Sequence, residues 1–113
     1  MDTTTEQQLE QALSFAQYQS TLNQQRRLLR EQFESDTTLA YNGGLFKVTQ
    51  EWIGSIDLEA KWVLDMNGNP INIDDAADLK SMATTAYREA LTKYGEEYQK
   101  LRRQRSVRSL TDL

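Results

Sequence analysis

The sequence predicts a mainly α protein with a small β element, in which two long helices form an antiparallel helical hairpin and two β-hairpins with a short helix form its tip. Three observations carry this reading. Residues 6–34 contain neither Gly nor Pro, and residues 75–105 contain only Gly95. Both stretches place apolar residues at three- and four-residue steps, the repeat of a helix with one buried face. Between them lie two Asn-Gly pairs, Asn42-Gly43 and Asn67-Gly68, each flanked by β-forming residues, which is the short-range signal of a tight hairpin.

The first helix is expected over 6–34. Thr3-x-x-Glu6 has the spacing of a capping box, in which hydroxyl and carboxylate each satisfy a backbone N–H at a helix start. Leu9, Ala12, Ala16, Leu22, Leu29 and Phe33 then read as one apolar stripe, widened by Phe15 and Tyr18 and interrupted by the polar run Asn23 to Arg27. Residues 37–48 read as a β-hairpin around Asn42-Gly43-Gly44. Thr49 can cap a short helix over 50–57 that presents Trp52, Ile53 and Ile56 on one face. Residues 61–73 read as a second hairpin, with Pro70 at a strand start where no ladder bond is lost, and the two hairpins are expected to share one small sheet. Asp74 or Asp75 caps the closing helix over 75–105, whose stripe is Leu79, Ala83, Tyr87, Ala90, Tyr94, Tyr98 and Leu101. Residues 106–113 are expected to be a flexible, basic tail.

The 113 residues suit a single domain, 1–113, without a second body for a substrate. An apolar share of 38% and a mean hydropathy of -0.73 leave many side chains in water, as an elongated shape requires. No stretch approaches the roughly 18 apolar residues of a membrane helix, and the first residues lack a basic region followed by an apolar run. The expectation is a soluble, cytoplasmic protein with no membrane partner.

Chemistry is restricted by what is missing. Without Cys or His there is no thiolate, no disulfide and no imidazole base or ligand. Asp74, Asp75 and Asp78 cluster where capping and the helix dipole account for them. Asp65 to Asn69 has oxygen side chains at alternate positions, as a calcium loop does, but sits between strands rather than helices. Asn42-Gly43-Gly44 is too short to cradle a phosphate and lacks the following Lys-Ser or Lys-Thr. No Ser-x-x-Lys occurs to activate a nucleophile. No catalytic, cofactor-binding or metal-ligating set is therefore expected, and the chain reads as a non-enzymatic binding protein.

Its candidate contacts are of two kinds. Tyr18, Tyr87, Tyr94 and Tyr98, with Trp52 and Trp62, offer large amphipathic surfaces to a protein partner. The other reading of the same residues is that the tyrosines border the seam between the helices and the tryptophans pack inside the tip. Neither long helix buries its stripe alone, so pairing within the chain or in a homo-oligomer is expected. The formal charge of -4 hides an acidic body and a basic end: Lys100, Arg102, Arg103, Arg105 and Arg108 fall in a stretch without an acid. These five, with Arg26, Arg27 and Arg30, are candidates for an acidic protein surface or for nucleic-acid phosphates, unless they serve only to complement the helix dipole.

Tyr41 to Val48, Val63 to Ile73 and Tyr94 to Ser106 resemble segments of short accessory proteins of T-even-type contractile-tailed phages and their cyanophage relatives. That resemblance implies a virion component or a morphogenesis factor, similar to a head-vertex assembly chaperone, made in the host cytoplasm and binding a phage structural protein. In architecture alone, helix, hairpins and helix also resemble a prefoldin subunit, from which the chain departs by a short helix between its hairpins.

Overall fold

The computed structural model describes the backbone of residues 3–111 and the side chains of residues 5–104. Seven elements follow in order: α1 (Thr3–Asp36), β1 (Thr38–Tyr41), β2 (Gly44–Lys47), α2 (Gln50–Ser55), β3 (Trp62–Leu64), β4 (Pro70–Asn72) and α3 (Ala76–Thr111). The two long helices pack on one another with opposite chain direction, α1 entering the β region and α3 leaving it. The result measures 75 × 24 × 19 Å, with a radius of gyration of 22.0 Å, where a compact chain of this length would have about 13 Å.

The helix ends have identifiable causes. Asp75, rather than Asp74, caps α3, its Oδ1 accepting from the N–H of Ala77 at 3.0 Å and of Asp78 at 3.2 Å. Thr49 caps α2 by accepting from Trp52 N–H at 3.0 Å, and α2 closes at Ser55 with Ile56 as its C-cap, two residues short of the predicted end. The last turn of α1 carries no base of its own. Lys47 of β2 supplies one, its Nζ donating to Glu34 O at 2.8 Å and to Thr37 Oγ1 at 3.2 Å. Thr37 is buried and returns its own hydroxyl to Phe33 O at 3.0 Å. The capping box proposed at Thr3 involves a side chain outside the described residues. At the other end α3 extends to Thr111, past the end expected at 105, since no Gly or Pro stands there to end it.

Each hairpin forms as its turn residues dictate. Asn42 at φ 48° and Gly43 at φ 83° supply the two positive φ values of a type I′ turn, so Tyr41 lies opposite Gly44 and Leu39 opposite Phe46. In the second hairpin Val63 pairs with Ile71 and Gly68 takes φ 80°. The hairpins form two separate two-stranded sheets, not the single sheet expected. The two hairpins meet closely at Gly44, where an added Cβ would lie 2.5 Å from Ile71 Cγ1. Met66 N–H on Leu45 O at 2.8 Å and Asn42 Nδ2 on Asn72 O at 3.0 Å join them.

Most of the core is therefore at the tip. Ile56, Ile73, Ala76 and Leu79 form one buried cluster, against which Leu39, Tyr41, Trp52 and Val63 pack. Phe46 and Val48 are buried beside it, with the ring of Phe46 5.4 Å from that of Trp52. From there a narrower seam runs along the arm through Ala83, Ala90, Leu101 and Leu22, all buried, with Leu29, Phe33, Tyr87 and Tyr94 half-buried along it.

The predicted α1 stripe is corrected in its first half. Leu9, Ala12, Phe15 and Ala16 are exposed, and Leu9 and Ala16 lie on the side away from the seam. At about 100° per residue, the twenty residues from Leu9 to Leu29 carry the chain roughly 160° round the axis, and the same holds from Leu13 to Phe33. Residues that look periodic over short windows thus belong to two faces.

Candidate protein-binding surface

The structure separates the candidate aromatic residues into packed and presented groups. Tyr94 stacks on Phe33 with centroids 5.0 Å apart, and Tyr87 meets the same ring edge-on at 6.0 Å. Both are half-buried side chains of the helix seam, and Trp52 is likewise engaged with Phe46 and the tip core. Tyr98 stands at 40% exposure on the flank of α3, and Trp62 at 61% on β3. Tyr18 is half-buried.

The presented group at the tip extends beyond Trp62. In β3 only Val63 turns toward the core, because successive strand residues face opposite sides, so Trp62 and Leu64 point outward together. Leu45, Leu58 and Met66 are also large apolar side chains left in solvent. Leu45 and Met66 are neighbours through the hydrogen bond that crosses the two hairpins. From the sequence alone Trp62 is a candidate and the others are not, since Trp62-Val63-Leu64 is uniformly apolar and gives no sign of which residues face in. The alternation of a strand was the available signal, once the facing of Val63 is known.

This apolar surface stands on a rigid turn. Asp65 Oδ1 accepts from the N–H of Asn67 and of Asn69, both at 2.9 Å, and Oδ2 from Leu45 N–H at 3.4 Å. The Asn69 amide is the largest cause holding the Asp65 carboxyl below the ordinary carboxylate value; partial burial opposes it, and the Asn67 and Leu45 amides add to it. With its oxygens committed to backbone amides, Asp65 serves the turn. On the other side of the tip, Tyr41 has its phenol pushed upward first by burial and then by the negative charges of Asp78, Asp74 and Asp75. Among the described residues no group of three or more acidic side chains is arranged to hold a metal ion, and no helix is long and apolar enough to cross a membrane.

The basic residues are spread along the arm. Lys100, Arg102 and Arg103 are exposed near the end of α3, and Lys100 is 3.2 Å from Glu97. Arg27 lies 3.8 Å from Glu31 along α1. Arg105 and Arg108 have side chains outside the described residues. Where the arm meets the tip, Lys93 reaches across the seam to Asp36 at 3.6 Å, beside a crevice lined by Leu29, Phe33, Ala90 and Tyr94.

Comparison of the chain with protein-family models, characterised proteins and solved structures gives no match.

Proposed function

We propose that this protein is a non-enzymatic assembly chaperone or structural adaptor that uses the paired helices as an arm and the two β-hairpins as the grip for another protein. The observation that supports this most is the outward pair Trp62 and Leu64, 61% and 65% exposed on a strand whose middle residue, Val63, is half-buried against the core. Exposed aromatic and aliphatic side chains on a hydrogen-bonded scaffold are what a protein interface uses as anchors, since little side-chain freedom remains to be lost on binding. Tyr98 is a secondary candidate contact, while Tyr87, Tyr94 and Trp52 act by holding the arm and tip in shape. The resemblance of the turn segments to phage accessory proteins is the reason to set this work in the assembly of a phage particle, with a phage structural protein as the client. The competing reading, in which the basic end grips nucleic acid, has less support because Lys100 is partnered by Glu97 and Arg27 by Glu31.

The test is capture by the tagged full chain from nuclease-treated lysate of its producing cells, at about 0.15 M salt where exposed charges are largely screened. The expected result is one stoichiometric protein that the wild type retains and the W62S/L64S variant loses, with the variant's helicity unchanged. Capture that survives this double substitution, or that yields nucleic acid alone when nuclease is omitted, overturns the assignment.

A further inference from the structure

We infer that the first half of α1 is a second, independent interface and that its occupant is another copy of this chain. From Thr5 to Gln17 every residue of α1 is exposed, including Leu9 at 62%, Leu13 at 56% and Phe15 at 62%. A helical stretch of this length has marginal stability in water without a packed face. Among the described residues α3 does not provide one for Leu9, Leu13 and Ala16, because the seam lies on the other side of α1, near Leu22, Leu29 and Phe33.

Charge identifies the occupant. Residues 5–25 carry Glu6 and Glu10 and no base, whereas residues 98–104 of α3 carry Arg102 and Arg103, with Lys100 engaged by Glu97, and no acid. All five are exposed, and both segments lie at the end of the arm remote from the β tip. Within one chain the basic segment is on the seam side of α1, so it leaves the outer face bare. A second copy turned end for end brings its basic segment onto that face, with Leu9 and Leu13 covered between the helices. The same contact forms twice about the two-fold axis, closing the dimer and sending the two apolar tips in opposite directions. A two-headed adaptor results.

Sedimentation equilibrium of the full chain tests this with charge exchange. The wild type is expected to be a dimer. Glu6→Lys with Glu10→Lys, and separately Arg102→Glu with Arg103→Glu, should each weaken dimerisation about tenfold or more, as several opposed charges replace attracted ones. Mixing the two variants in equal amounts should restore the dimer, because each then meets the opposite charge at both contacts. An intrachain role for these charges would leave the mixture as weak as its parts. Leu9→Gln with Leu13→Gln should give a monomer, and circular dichroism at matched concentration reports whether the rest of the fold persists. A monomeric wild type, or a dimer indifferent to both exchanges, overturns the inference, as does failure of the mixture to recover. Trp62→Ser with Leu64→Ser should leave the dimer intact, which separates this interface from the grip.

Discussion

The rings of Phe33 and Tyr94 stack across the helix seam with centroids 5.0 Å apart and planes inclined by 30°. This contact, close to the point where the arm enters the tip, fixes how the two helices lie together and takes Tyr94 out of the set of presented residues. Tyr94→Ala should cost about 2 kcal/mol of stability, less than a fully buried aromatic because the ring is half-exposed. Tyr98→Ala, one helical turn further along but on the flank, should cost less than about 1 kcal/mol. Urea midpoints of the two variants check the difference, and equal losses would show that Tyr98 belongs to the seam as well.

Gly44 and Ile71 lie where the two hairpins meet. Gly44→Ala places a methyl group 2.5 Å from Ile71 Cγ1, so the hairpins must separate or Ile71 must leave its rotamer, at a cost of about 1–3 kcal/mol. Trimming the neighbour should relieve the clash: in a double-mutant cycle with Ile71→Ala, the Gly44→Ala penalty is expected to shrink. Additive losses would show that the contact between the hairpins tolerates the extra methyl.

Asp65 makes stability depend on acid. Its carboxyl titrates below the ordinary value in the folded protein, so its contribution is complete above the unfolded value of about 3.9 and disappears as pH falls through the lower folded value. Asp65→Asn should lower the thermal midpoint at neutral pH and flatten the loss of stability below about pH 4. Thermal melts of both proteins across that range provide the check. Parallel pH profiles would mean that other carboxylates govern the acid limb.

The C-terminal end of α1 depends on a base borrowed from the hairpin. Lys47→Met keeps the aliphatic stem but removes the donor to Glu34 O and Thr37 Oγ1, and should cost about 1 kcal/mol. Lys47→Arg should recover part of it. Amide exchange in the last turn of α1 is the sensitive measurement, since protection there should fall before the rest of the helix responds.

Much of the architecture was legible because it is written in local chemistry. A long stretch without Gly or Pro has no reason to leave the helix once started, Thr49 and an Asp before Ala76 satisfy helix-start amides, and Asn42-Gly43 accepts the positive φ that a tight hairpin demands. These causes act within a few residues, so the sequence by itself determined a long helix, a hairpin, a short helix, a second hairpin and a second long helix, in that order. What it did not contain was the direction in which surfaces face. The α1 stripe from Leu9 to Phe33 looks continuous, but small departures of spacing from 3.6 accumulate until its two ends point to opposite sides. Trp62-Val63-Leu64 is apolar throughout, and only the packing of Val63 on the core sends its neighbours into solvent. The close approach of the hairpins at Gly44 and Ile71 is likewise a contact between residues far apart in the chain. Elements are fixed by short-range backbone preferences, whereas the tertiary structure decided which apolar side chains became core and which were left as surface, because burial is a property of what a residue packs against.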